Sequence, residues 1–189
     1  MGKKLNALTL IGGRGISSKT ETKKLSMLIN LAISRIAIIK NLHTVRCDQA
    51  ESDVIHLLRL GYQEQALLRV EQVIKEQNAL DAYVLIENYC RLLVVEGTEM
   101  VKTSRACPDE LKETVSTLIF AASRCGEFPE LHAIRVLLTS KFGGEFAKSS
   151  VEQRDNCRVY PKMLDSQGTY LMRVLPSDDT EIFNTASEF

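Results

Sequence analysis

From Leu25 onward the apolar positions Leu25, Ile29, Ala32, Ile36 and Ile39 fall 4, 3, 4 and 3 residues apart. That spacing keeps one face of a helix turned toward a partner helix. Leu28, Leu31, Ile33 and Ile38 broaden the stripe, which predicts contact on more than one face. The same phase runs through His43, Arg46 and Ala50 and returns to apolar residues at Leu57 and Leu60. It predicts a helix over 21–60, capped by Ser17, Ser18 or Thr20 and on the order of 60 Å long at ~1.5 Å per residue. Gly61 suits a helix stop, because a glycine takes the left-handed conformation freely. Tyr62 then opens a second periodic run, with Ala66, Leu67, Val70, Val73, Ile74, Leu80, Tyr83, Val84 and Leu85, closed by Gly97. The 81 residues from Ile16 to Glu96 hold one glycine and no proline. The prediction is a long antiparallel helical hairpin folded at Gly61. Its return arm is apolar nearly all round from Tyr83 to Val95, as expected where several helices cover it.

Two shorter helices follow in the pattern. Pro108 opens one, with Asp109 and Glu110 at the positive end of its dipole and a single stripe of Leu111, Val115, Leu118, Ile119 and Ala122. Cys125-Gly126 ends it. Pro129 opens the other, with Leu131, Ile134, Leu137 and Leu138 inward, and Gly143-Gly144 stops it. After Ser150 the pattern weakens, punctuated by Pro161, Gly168 and Pro176, and the end is acidic. The organisation expected is a flexible lead-in over 1–17, a helical core over 18–150 and a divergent, partly disordered tail over 151–189.

Composition agrees with an all-α protein. Aromatics are 6 % and tryptophan is absent, so the core falls to Leu, Ile, Val and Ala. Zero net charge conceals an imbalance. Residues 1–60 hold 10 Lys/Arg against 4 Asp/Glu, a net +6, while residues 61–189 hold 14 against 20, a net −6. The positive arm points to an anionic partner, to attraction between the two arms, or to both. The five cysteines, Cys47, Cys90, Cys107, Cys125 and Cys157, form no Cys-x-x-Cys. They read as packed thiols of an intracellular protein rather than a zinc or redox site. No secretory signal is apparent, and no apolar run approaches the roughly 20 residues of a membrane span.

The chemistry-bearing inventory is thin. Gly12-Gly13-Arg14-Gly15 lacks the Lys-Ser/Thr of a phosphate loop. His43, His56 and His132 are scattered, and there is no Gly-x-Ser-x-Gly, no His-Glu-x-x-His and no cluster of metal-binding carboxylates. Neither catalysis nor a cofactor is expected. A helical enzyme with a site between the third and fourth helices is the least favoured reading. Basic residues line the first helix at Lys23, Lys24, Arg35, Lys40, Arg46 and Arg59, and they mark a solvated face or a contact with anionic lipid or an acidic partner. Nucleic acid fits poorly, since no aromatics interleave with these charges.

Three stretches carry a family resemblance: Arg69 to Asn78, Cys107 to Arg124, and Glu127-Phe-Pro-Glu-Leu131 with Lys141-Phe-Gly-Gly-Glu-Phe146. In order and spacing, over roughly residues 18–150, they resemble the increased-sodium-tolerance family of ESCRT-III-related proteins, in its plant-like branch. The resemblance implies an ESCRT-III-like core, a long hairpin with shorter helices packed at its open end. It implies a non-enzymatic assembly or regulatory protein of multivesicular-body sorting and endosomal protein transport. Such a protein is cytoplasmic and peripherally associated with endosomes. Its implied partners are charged multivesicular body proteins (the ESCRT-III subunits), the vacuolar-protein-sorting AAA ATPase with its positive regulator, and anionic membrane at the periphery. Lys23, Lys24, Arg35, Lys40 and Arg46 are the expected contact residues. Two departures stand out. Ala37, Asn41, His43 and Thr44 occupy a zone that is Lys/Arg-rich in the family, and no Leu-rich motif for an MIT domain follows Asn156 to Lys162. The alternative is a generic helical adaptor outside the ESCRT system, binding through its apolar seam.

Overall fold

The computed structural model describes residues 14–97, 106–125, 128–154 and 158–160. Helix α1 spans Arg14–Arg59 and α2 spans Gln63–Leu92, the latter widening into a π-helical turn over Leu93–Gly97. Helices α3, Asp109–Arg124, α4, Pro129–Phe142, and α5, Gly144–Glu152, follow. The described residues contain no strand. The all-α hairpin expected from periodicity is therefore present. Residues 1–13 and 161–189, with most of the expected lead-in and tail, lie outside the described residues.

The turn is set by hydrogen bonding at one glycine. Gly61 has φ +80°. Its N–H donates to Leu58 O at 3.1 Å and that of Tyr62 donates to Leu57 O at 2.9 Å, which is the paired closure of a Schellman motif. Ser17, Ser18 and Thr20, expected as N-caps, instead lie inside α1. Serine and threonine are neutral enough in a helix to be carried by the turns that follow.

The arms meet along Leu25, Ile29, Ala32 and Ile36 of α1 and Ala79, Ala82, Tyr83, Ile86 and Cys90 of α2, with Leu93 of the π-helical turn, all buried. Beyond Ile36 the seam passes through His43, Cys47 and Ala50, and Arg46 points outward. The broad-stripe expectation fails for part of α1. Leu28 and Ile33 are partly covered, but Leu31 and Ile38 are solvent-exposed. Val84, Leu92 and Val95 of α2 are exposed as well, although the sequence there is apolar nearly all round.

Helix α3 is the centre of the covered end. Every residue from Thr114 to Ala122 is buried, more than its single apolar stripe predicts. Its polar positions are accommodated by partners: the Ser150 hydroxyl lies 3.3 Å from that of Ser116, and the Tyr160 backbone N–H donates to Thr117 Oγ1 at 3.1 Å. Helices α2, α4 and α5 all pack on α3, and α4 also packs on α1. Gly143, at φ +96°, ends α4 as expected, but Gly144 begins α5 rather than a loop. The Ala147 N–H reaches back to Gly143 O at 3.2 Å, and Ala147 and Ser150 are buried. The packing extends past Ser150: Val159 is buried in the core, and the Tyr160 ring stands edge-on to Tyr89 at 6.0 Å.

Candidate functional site

The hairpin presents two kinds of charged position, those tied between elements and those left on the outside. Arg35 belongs to the first kind. Its Nη2 donates to Glu130 Oε1 at 2.8 Å and its Nε lies 2.6 Å from Oε2, joining α1 to α4. Burial by itself raises the Glu130 carboxyl, but the hydrogen bond and charge of Arg35 outweigh it and hold Glu130 below the usual range. Lys40 Nζ donates to Glu87 Oε2 at 2.8 Å, joining α1 to α2, and Arg91 donates to the other oxygen of Glu87. These two donors lower the Glu87 pKa, Lys40 first. Farther out, Asp53 accepts from Gln49 and from Arg69, and both lower its pKa in that order.

Between these pairs lies a buried polar layer. His43 Nδ1 is 2.6 Å from Glu76 Oε2, with both side chains at or below 6 % exposure. Gln72 donates to Glu76 Oε1, and the Tyr83 ring lies 5.6 Å from the imidazole. Here His43 joins the two arms, and it has no outward face for a substrate. The thiols are equally withdrawn. Burial, then Glu87, pushes Cys90 up to about 12, and burial, then Glu51, raises Cys47, so neither supplies a ready nucleophile. Burial also raises Tyr89, whose hydroxyl donates to Glu113 at 2.7 Å. Among the described residues no group of three or more His, Cys, Asp or Glu is placed to hold a metal ion. An open groove of about 190 Å³ runs between the start of α1 and the end of α4, lined by Glu21, Leu25, Leu137 and Lys141 among others, with no set of converging catalytic groups.

The five expected contact residues therefore divide. Lys23, Lys24 and Arg46 are exposed with no ionic partner among the described residues, while Arg35 and Lys40 are engaged inside the fold. They do not form one compact cluster, since Arg46 is about 33 Å along α1 from Lys24 at ~1.5 Å per residue. Between them the outer face carries exposed apolar side chains, of which the periodicity had assigned Leu31 and Ile38 to helix contacts: Met27, Leu31, Ile38 and Val45 are 57, 49, 71 and 65 % exposed. The signal was legible in the seven-residue spacing of Leu31, Ile38 and Val45, a second seam displaced from the first. By length and composition α1 is also apolar enough to cross a bilayer. Its inner face is instead committed to α2 through Ile29, Ile36 and the His43–Glu76 pair.

A long two-helix arm, closed at one end by short helices, defines a helical domain of ESCRT-III-like fold. Residues 26–172 match the family model described as Ist1, regulator of Vps4 activity in the MVB pathway, and the chain belongs to that family. It is 29 % identical over 178 residues to an IST1-like protein of Dictyostelium discoideum, covering 92 % of this chain and 45 % of that protein. It is 24 % identical over 137 residues to the vacuolar protein sorting-associated protein IST1 of Saccharomyces cerevisiae, covering 69 % of this chain and 46 % of that one. The chain thus spans just under half the length of these relatives. A crystal structure of the S. cerevisiae Ist1 N-terminal domain in complex with the Did2 MIM motif shares the fold. The TM-score is 0.69 at 21 % identity, covering 87 % of this chain and 92 % of that one.

Proposed function

We propose that this chain is a non-enzymatic regulator of ESCRT-III assembly in multivesicular-body sorting, with residues 18–150 as its working core. In this reading it acts on the cytoplasmic face of endosomes, binds charged multivesicular body proteins, and through them modulates the AAA ATPase that disassembles their filaments. The observation that carries the reading is family membership over residues 26–172. It is supported by an arm whose inner side is closed by internal ion pairs and whose outer side is exposed among the described residues. The contact residues in this reading are Lys23, Lys24 and Arg46, because they are exposed and have no ionic partner among the described residues. Arg35 and Lys40 act by holding α1 against α4 and α2.

The test is pull-down of recombinant ESCRT-III subunits and sedimentation with anionic liposomes. Wild type is compared with the Lys23→Glu, Lys24→Glu, Arg46→Glu triple variant. Exposed charges are worth little to stability, so the triple variant retains its helical circular dichroism and loses binding. Wild type that captures no ESCRT-III subunit would remove the reading. A triple variant that binds as wild type would remove only the assignment of these three residues.

A further inference from the structure

The open groove of about 190 Å³ lies beside the early turns of α1, where α4 reaches its end. Leu25, Leu137 and Leu138 line it, with Glu21 and Lys141 as its two charged side chains. Leu25 and Leu138 are 3 and 0 % exposed, so the core holds the floor in place. The space is of a size that receives small apolar groups, since an aliphatic cavity of about 150 Å³ takes up benzene. Its one acid and one base oppose each other, and a cleft selects charged ligands when it is lined by a single sign. The groove therefore suits a short, uncharged, apolar stretch of chain.

The chain supplies such a stretch next to the groove. Leu5, Ala7, Leu8, Leu10 and Ile11 make five of the seven positions from 5 to 11 apolar, and no charged residue occurs from Leu5 to Gly13. Gly12 and Gly13 separate these residues from Arg14, where α1 begins. Two adjacent glycines give the backbone the freedom that a sharp reversal needs. From Arg14 to Leu25 the helix advances ~16 Å at ~1.5 Å per residue. Seven extended residues span up to about 23–25 Å, so a stretch turned back at the two glycines covers the groove. A short tether also keeps it at an effective concentration in the millimolar range, which a free partner must exceed to displace it. We infer that residues 5–11 fold back at Gly12 and Gly13 and seat their leucines in the groove between α1 and α4, tying the start of α1 to the short helices. The inference does not depend on the proposed assembly role, since no second protein takes part.

The chain has no tryptophan, so a tryptophan placed in the segment reports its surroundings alone. The experiment uses the whole chain carrying Leu5→Trp or Leu8→Trp, each compared with a synthetic peptide of residues 1–13 bearing the same substitution. The readouts are emission wavelength and quenching by acrylamide. In each background the groove is then blocked by Ser140→Arg, at an exposed position, or by Leu137→Glu, at a partly covered one. Circular dichroism verifies the fold, and Ser140→Arg decides alone if Leu137→Glu unfolds. The expected result is blue-shifted emission and several-fold slower quenching than in the peptide for at least one of the two tryptophans. Blocking the groove should return both readouts to the peptide values. Two tryptophans as accessible in the whole chain as in the peptides overturn the inference, and so does shielding that survives the groove variants. Shielding that grows with protein concentration would place the segment on a second copy. Shielding that needs vesicles of mixed phosphatidylcholine and phosphatidylserine would place it in a bilayer. Either result overturns docking on its own chain, while the assembly role is judged separately by pull-down of ESCRT-III subunits.

Discussion

Near its open end the hairpin buries Ile29, Ile36, Ile86 and Leu93 completely, in one cluster with α3, α4 and α5. From His43 to the turn and back to Glu76, the buried apolar side chains are Cys47, Ala50 and Ala66. The same two helices thus change their means of support along their length. At the covered end, removal of large aliphatic side chains from water holds them, at about 25 cal/mol per Å² of apolar surface. In the outer arm small residues bring the backbones together and polar links bridge them, His43 to Glu76 and Arg69 to Asp53. The outer arm also exposes Ile55, Leu58, Leu60, Tyr62, Leu67, Leu68 and Ile74. Large buried aliphatic side chains are concentrated at one end, whereas exposed apolar side chains occur along both.

The contrast is broken most severely at the covered end. Ile119 is fully buried at the centre of α3, and Ile119→Ala should destabilise the protein by about 3–4 kcal/mol through lost transfer energy and a cavity. Urea unfolding monitored by circular dichroism would measure this, and a loss below about 1 kcal/mol would mean that α3 is not the keystone. Next comes the polar layer. His43→Ala leaves the buried Glu76 carboxylate with Gln72 alone and opens space beside Tyr83, for a cost of about 2–3 kcal/mol. Hydrogen exchange should then show the amides from His43 to Glu76 opening more readily while α3 stays protected. Uniform acceleration would contradict a division between the two regions.

Gly61→Ala probes the turn itself. A Cβ there meets no atom within 4 Å, so the cost is the backbone strain at φ +80° alone. It should be about 1–2 kcal/mol, read as a lower thermal midpoint. The smallest effect is on acid stability. Glu87 and Asp53 are held below their ordinary values of 4.5 and 3.8 by their partners. A carboxylate depressed in the folded state adds stability above its unfolded pKa and loses it as pH falls through the folded one. The urea midpoint should therefore decline below about pH 4.5. In Glu87→Gln that decline should shrink, with a loss of at most about 1 kcal/mol at pH 7, since Lys40 is a third exposed. An identical pH profile for the two proteins would show that the Lys40–Glu87 link contributes nothing.

Much of this architecture was written in local pattern. The spacing from Leu25 to Ile36, the lone Gly61, and Pro108 and Pro129 placed four helices and the fold-back, because periodicity and helix-stopping chemistry act over a few residues. Gly143-Gly144 misled for the same reason. One glycine breaks α4, but Gly144 is drawn into α5 by the burial of Ala147 and Ser150 against α3, a distant element. Among the expected contact residues, the chain showed which were cationic and not which were engaged inside the fold. Glu130 lies 95 positions from Arg35 and Glu87 lies 47 from Lys40, and those separations carry no local signal.

By itself the sequence determined that the chain is helical, where it turns, and that its first arm is basic and its remainder acidic. It also contained both apolar seams of α1 without distinguishing them, since each repeats with helical spacing. Only the tertiary structure decided which seam faces inward. Ile29 and Ile36 meet α2 and the short helices, and Leu31, Ile38 and Val45 are turned to solvent. The physical reason is that periodicity fixes which side chains share a face, whereas burial depends on which other elements reach that face, and this is settled when α2 and α4 pack on the same side of α1.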